Sequence, residues 1–426
     1  MKLSTVPENL VEWVALKCNV APTPILDTLV ALLLAKMIIA ATAMNLFDVL
    51  EAGPLSIEEI ASKCGTHAVP AGKLLRALYA CKYVLLTNNR YGLAPVSRRW
   101  LVINRPKSLH SAVLHRKLDL RVMEFETYLR GGRALGFHEN LRPEDWPLYQ
   151  QGQASHAALI LDEVIARAPI PDGATDLLDL GGAHGLYSFE FCNRYPGLRA
   201  RVVDLAAPTE AFDSPWTAEL PLNRVEFQQA DILTVDLTEQ SFDAVLIASV
   251  FHHFDEGTNR DLVCRAAKAL RPGGILIAVD AVRPTAIEQS EQIESLLDLY
   301  FGAASGAGLW TVEQLRSWEQ SAGLELLSPV TMRLLPCCKM QVGRKPRRSN
   351  MRQNRQLRAC LEGRRLVGFW REVKRGEDAT TTSLSLASTL VRRLRIVGVC
   401  AGGSDPTRAE RYSHGDRLIP KIPCSL

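Results

Sequence analysis

No two of the ten cysteines stand in a C-x-x-C pair, and no cluster of acids or histidines has metal-ligand spacing. A disulfide scaffold and a structural metal site are thereby excluded. No basic start followed by an apolar core and a small-residue cleavage site opens the chain, so a reduced, cytoplasmic setting is expected. A charge-free apolar run of about 20 residues is also lacking. The richest stretch, Ile25 to Leu50, carries Asp27, Lys36, Asn45 and Asp48, and no membrane span is expected from it. The glycine-rich turn Gly181-Gly182-Ala183-His184-Gly185 does not accommodate G-x-G-x-x-G, which argues against a dinucleotide. What remains is ordinary: 47% hydrophobic and 23% charged residues in a chain of 426, enough for two globular domains.

Charge is unevenly spread. Residues 344–426 hold 19 Lys/Arg against 7 Asp/Glu, so the preceding body is net acidic and would repel a nucleic-acid backbone. The block from Arg344 to Arg375 reads as a solvated tail, with a nucleic-acid or membrane-surface contact as the alternative.

From Leu26 to Leu46, apolar residues recur at spacings of three and four with hardly a polar face, the mark of a core helix or one buried against a partner chain. Ser56 with Glu59 forms a capping box opening the next helix. A second helix, Val69 to Lys82, puts Leu74, Leu75, Leu78 and Tyr79 on one face. Val84–Leu86, Asn88-Asn89 and Tyr91–Leu93 then read as a two-stranded ribbon. Helix, helix, ribbon is the winged-helix order. It serves either as a DNA reader or as a structural, dimerising module, and the thin basic face of Lys73, Arg76 and Lys82 favours the second.

Residues 97–165 read as helical, and from Asp176 strands alternate with helices, predicting a doubly wound α/β domain up to about Lys345. A glycine turn between the first strand and its helix lets a ligand approach the backbone. Acids then stand at the ends of three successive strands: Asp179, Asp204 and Asp231. A cationic cofactor suits that set better than a phosphate does. Asp179 answers a sulfonium and ammonium, Asp204 the two ribose hydroxyls, and Asp231 the adenine amino group, with Ile232 packing on the ring.

The runs LLDLGGAHG, VVDLAAPTEAF, ADIL, VFHHFDEGTNRDLVCRAAKALRPGGILIAVD and GLWTVEQLRSWEQSAGLELL resemble the class I S-adenosylmethionine-dependent small-molecule O-methyltransferases, the family of plant caffeate-type and bacterial polyketide enzymes. The resemblance covers about residues 20–343. It implies a winged-helix dimerisation domain (1–105), a helical linker and substrate lid (106–175) and a Rossmann-like cofactor domain (176–345); the basic tail (346–426), read from its charge, lies beyond it. The implied cofactor is S-adenosyl-L-methionine, held by Asp179, Gly181, Gly182, Gly185, Asp204, Leu205, Asp231, Ile232 and Ser249. Aligned on the family's His-Asp-Trp-Ser-Asp motif, His252 takes the general-base position, with Asp280 as the acid that orients it. Ala248 stands where plant members carry a basic residue, and Gly308-Leu309 where they carry a second acid. The expected partners are a small-molecule, phenolic acceptor and a second copy of the chain, without a metal, membrane or nucleic acid. Two alternatives remain at this point: a DNA-binding, ligand-sensing regulator, and a methyltransferase fold that modifies carbon or nitrogen or does other chemistry.

Overall fold

The computed structural model describes residues 4–205 and 222–347. The basic tail, from residue 348 on, and the AAPTEAF segment after Leu205 lie outside the described residues.

After a short first helix, Leu10–Lys17, an apolar helix runs from Thr23 through a π-helical stretch, Leu26–Val30, to Ala43. Only Ile39, Ala41 and Thr42 of its last segment are buried, while Leu29 and Leu33 stand 51% and 57% exposed. With 21 residues and a mean hydropathy of 2.1, Thr23–Ala43 is long and apolar enough to cross a membrane by length and composition. Asp27 and Lys36 therefore do not exclude a span, contrary to the expectation from sequence.

Ser56 caps helix Ile57–Lys63 as expected: its hydroxyl accepts from the Glu59 N–H, and the Glu59 carboxylate accepts from the Ser56 N–H at 2.7 Å. Helix Ala68–Ala80 buries Ala71, Leu75 and Leu78, whereas Tyr79 faces solvent, so the buried stripe is rotated from the one read in sequence. The ribbon pairs β1 (Val84–Thr87) with β2 (Arg90–Leu93). Asn88 and Asn89 both adopt positive φ, which the tight hairpin turn requires and asparagine tolerates.

One sheet organises the rest. Its strands are β3 (Asp176–Leu180), β4 (Arg199–Asp204), β5 (Val225–Gln229), β6 (Phe242–Ala248), β7 (Leu270–Ala281), β8 (Glu325–Leu326), β9 (Val330–Thr331) and β10 (Cys338–Arg344). The order is β5-β4-β3-β6-β7-β10-β8, with β9 also on β10. Strands β3 to β7 are parallel, and β10 runs antiparallel to β7. The parallel strands are continuously apolar because helices cover both faces. Leu177, Val202, Leu246 and Ile277 point into one core, under helices Leu161–Arg167 and Leu186–Arg194. Leu178, Val203, Val245 and Leu276 point into the other, against helices Glu256–Ala269 and Val312–Ser321. The order reverses beside β3, and a crevice opens at such a switch point, at the carboxyl ends of β3 and β6.

Candidate active site

The glycine turn lies at that switch point. Gly181 has φ +75° and donates its N–H to the Val203 carbonyl at the end of β4. A Cβ on Gly182 would come within 2.6 Å of the Asp179 carboxylate, and one on Gly185, at φ +69°, within 2.6 Å of the Phe227 ring. The loop is therefore packed from below by Asp179 and Phe227, with its backbone turned outward. His184 is buried in it, its Nδ1 accepting from the Leu186 N–H at 3.0 Å, and burial lowers its pKa to about 4. It is a turn residue that caps the following helix.

Asp204 has a structural contact besides the role read in sequence. Its Oδ2 accepts from the Ala183 N–H at 2.9 Å, so one carboxylate oxygen ties the glycine turn to the end of β4. Ala230 donates to the Asp204 carbonyl at 2.9 Å, bringing Asp231 and Ile232 alongside. The Asp231 carboxylate accepts from the Leu233 N–H at 2.8 Å, which shapes that turn, and Ile232 is buried against the core. Leu205, 59% exposed, caps the end of β4 with an apolar surface. Ser249 ends β6 in the left-handed region at φ +58°, exposed, its N–H held by the Val279 carbonyl at 2.7 Å.

Whether this cradle fits S-adenosylmethionine turns on Asp179. Its Oδ2 accepts from the Ser188 hydroxyl at 2.8 Å, but its buried Oδ1 has no hydrogen-bond partner among the described residues. Burial, and secondarily the nearby Asp204 charge, raise its pKa to about 7. An orphaned carboxylate oxygen beneath the glycine-rich loop is complementary to a bound cation, so the residues fit the cofactor.

Three residues beyond Ser249, the His252 ring donates its Nδ1–H to Asp280 Oδ1 at 2.7 Å. Asp280 is itself fixed: its Oδ2 accepts from the Phe251 N–H at 3.0 Å and its Oδ1 from the Ala281 N–H at 2.8 Å. With Nδ1–H committed to the carboxylate, Nε2 is left as the basic nitrogen. Phe301 lies over the imidazole, ring centres 3.7 Å apart. His253 differs, since its Nδ1 meets only the Ser305 hydroxyl at 3.0 Å. Burial, together with the imidazoles of His252 and His138, holds its pKa well below the ordinary histidine value. Trp310 belongs to the core, donating its indole N–H to the Phe251 carbonyl and packing on Trp318, and Tyr300 donates to Asp119 at 2.9 Å. The Gly308-Leu309 loop is tied down by Asp298, which accepts from the Leu309 N–H at 2.6 Å.

Sequence reading missed a second layer around the dyad. His138 lies 5.0 Å from His253, ring centre to ring centre, bonds the Tyr149 hydroxyl through Nε2 at 2.8 Å, and stacks on Trp146. Tyr149 meets His115 edge-on at 5.3 Å, with Phe137 and His156 alongside. Burial lowers the pKa of His115 to about 2 and that of His156 to about 4. Five of the chain's nine histidines thus share one region, and the four other than His252 are held uncharged by burial. Only their number could have flagged them, because the helices carrying His115 and His156 and the turn carrying His138 match no spacing motif. Among the described residues no group of three or more His, Cys, Asp or Glu is placed to hold a metal.

Comparison with known proteins agrees with this geometry. Residues 109–320 match the O-methyltransferase domain, and residues 26–103 match the O-methyltransferase dimerisation domain. An N,N-dimethyltransferase of Streptomyces rimosus is 27% identical over 310 residues, 68% of this chain and 87% of its own length. The 3-hydroxy-5-methyl-1-naphthoate 3-O-methyltransferase of Streptomyces sahachiroi is 26% identical over 60% of this chain and 76% of its own. Human N-acetylserotonin methyltransferase, solved with S-adenosylmethionine, shares the fold with a TM-score of 0.65 at 16% identity, covering 81% of this chain and all of that one. The two domain matches together span well over half of the sequence and include the glycine turn, the dyad and the exposed apolar helix: the chain belongs to the O-methyltransferase family and is an S-adenosylmethionine-dependent methyltransferase.

Proposed function

We propose that the chain methylates a phenolic hydroxyl of a small, secondary-metabolite-type acceptor, with His252 as general base. The observation that carries this reading is the buried His252–Asp280 pair, with His252 four residues past the end of β6, on the edge of the sheet that also bears the glycine turn. When bound, S-adenosylmethionine supplies an electrophilic methyl group on sulfonium and departs with the C–S electron pair. Gly181, Gly182 and Gly185 give it backbone access. Asp179 faces its cationic end, Asp204 the ribose, Asp231 the adenine edge, and Leu205, Ile232 and Ser249 the rim of the cradle. The acceptor hydroxyl passes its proton to His252 Nε2 as its oxygen takes the methyl carbon, and Asp280 stabilises the imidazolium that results. Positioning supplies much of the rate, and a placed base adds roughly 10²–10⁴-fold.

The exposed apolar helix Thr23–Ala43 lies largely within the dimerisation match, and a second copy of the chain covering it removes a patch that monomers rarely expose. The reading is therefore a homodimer, and a cytoplasmic one, in keeping with seven free cysteines among the described residues. The domain boundaries at 105, 175 and 345 belong to the same proposal. A second reading, transfer to an amine nitrogen, is favoured by the relative named an N,N-dimethyltransferase.

The test is transfer of labelled methyl from S-adenosylmethionine to matched phenol and aniline acceptors by the wild-type and His252→Ala proteins. O-methylation falling by about 10²-fold or more in the variant, with cofactor affinity unchanged, is expected. Preference for the amine, or full turnover on the phenol without the imidazole, overturns the proposal.

A further inference from the structure

His115 is 2% exposed, on helix His110–Val122, which packs against helix Trp146–Ala157. Two contacts fix its ring. A Cβ at residue 152 would lie 2.6 to 2.8 Å from the His115 Cβ, Nδ1 and Cγ, so only glycine there lets the imidazole lie flat on the facing backbone. The Arg116 guanidinium reaches His115 Nδ1 at 3.0 Å, and since a guanidinium can only donate, Nδ1 is the acceptor. The ring proton is consequently on Nε2, on the edge turned away from Gly152. That nitrogen is fully buried and has no hydrogen-bond partner among the described residues.

A buried donor without an acceptor costs about 1–3 kcal/mol, and a fold that clamps such a donor in place does so at a sacrifice of stability. His115 is in edge contact with Tyr149, and Tyr149 is bonded to His138, whose ring meets His253 next to the base. The orphan donor thus belongs to the shell of aromatic side chains that continues from His252. We propose that His115 Nε2–H donates to a carbonyl oxygen of the methyl acceptor, at an end of the molecule distinct from the hydroxyl that receives the methyl group. The orientation rests on the O-methylation reading; the contact itself does not. The acceptor is accordingly a phenol that also carries a ketone or quinone oxygen. An anionic group is disfavoured there, because it would draw a proton onto an imidazole that burial keeps neutral. His115 is a specificity residue, binding the acceptor without touching the reacting atoms.

The experiment uses full-length, ¹⁵N-histidine-labelled protein with S-adenosylhomocysteine, titrated with 1-hydroxyanthraquinone and with 1-hydroxyanthracene, which lacks the carbonyls. The His115 Nε2–H resonance, identified by its loss in His115→Phe, should move downfield with the quinone only. In His115→Phe the quinone Kd should weaken about tenfold, to the value of the carbonyl-free phenol, while the melting temperature of the ligand-free variant does not fall. His115→Asn, which retains a donor, should recover part of the preference. Equal loss of affinity for both probes would make His115 purely structural. An unmoved resonance would mean that the N–H is spent on the ring face of Tyr149. Failure of the wild type to bind the quinone would likewise overturn the proposal. Methyl transfer is scored separately: if neither phenol is methylated but the binding preference holds, the reaction assignment fails and the contact stands.

Discussion

Replacing Asp280 by asparagine tests the dyad more sharply than deleting the histidine, because it removes a charge and almost no volume. The carboxylate accepts three hydrogen bonds, from His252 Nδ1, from the Ala281 N–H and from the Phe251 N–H. An amide has only one accepting oxygen. If that oxygen faces His252 and Ala281, the new NH₂ confronts the Phe251 N–H. If it faces Phe251, the NH₂ confronts the Ala281 N–H and forces the proton of His252 onto Nε2, the nitrogen proposed as the base. Either arrangement loses a charge-assisted bond in a site where His252 and Asp280 are 5% and 3% exposed, and stability should fall by about 1.5–3 kcal/mol. Turnover should fall further, by roughly 10²-fold and at most by the whole 10²–10⁴ that a placed base supplies. The assay is labelled methyl transfer to a phenol between pH 6 and 10, alongside calorimetry with S-adenosylhomocysteine. Cofactor affinity should stay within about twofold, and activity should recover at high pH, where the phenolate forms unaided. An Asp280→Asn protein that turns over like wild type at neutral pH would refute the reasoning.

Three other outcomes follow from the same residues. Because a bound cation favours ionised Asp179, whose free-state pKa is about 7, cofactor affinity should weaken as pH falls below 7. Calorimetry from pH 5.5 to 8.5 should show that slope in wild type and not in Asp179→Asn. Buried Glu319 has its pKa raised to about 8, chiefly by desolvation, with only the Gln341 amide on its carboxylate. Its folded pKa exceeds the unfolded value of about 4.5, so its contribution is fully present below that value and is lost as pH rises through 8. Glu319→Gln should therefore raise the melting temperature at pH 9 and leave it nearly unchanged at pH 4.5; an equal shift at both would sink the assignment. Leu29→Lys with Leu33→Lys places two charges on the exposed apolar face, and light scattering should report monomers where the wild type is a dimer.

Much of the fold was legible because the deciding signals are local. The capping box at Ser56, the Asn88-Asn89 turn and the apolar run Leu177–Leu180 each specify an element without reference to the rest of the chain. The strand-end acids were legible for a related reason, since a parallel sheet brings strand ends side by side whatever the sequence between them. Two things were not. That Asp204 ties down the glycine turn depends on the direction of one backbone N–H, which no residue pattern encodes. The aromatic and histidine layer is assembled from a helix, a loop and a second helix with no shared periodicity. His115 joins it because Gly152 leaves room for its ring between the two helices.

The choice between the adjacent histidines shows where structure adds what sequence cannot. Side by side, His252 and His253 have the same intrinsic basicity, and their positions differ by one residue. Each sees different partners because a one-residue step on the short helical turn Phe251–His253 sends the rings in different directions. The first finds a carboxylate held by two backbone N–H groups, which fixes its tautomer with the proton on Nδ1. The second finds a serine hydroxyl and a neighbouring imidazole, which cannot stabilise a positive charge. A base must pass its proton along a defined path, and the His252–Asp280 contact is the geometry on which the proposed assignment rests. His253 is left to shape the pocket.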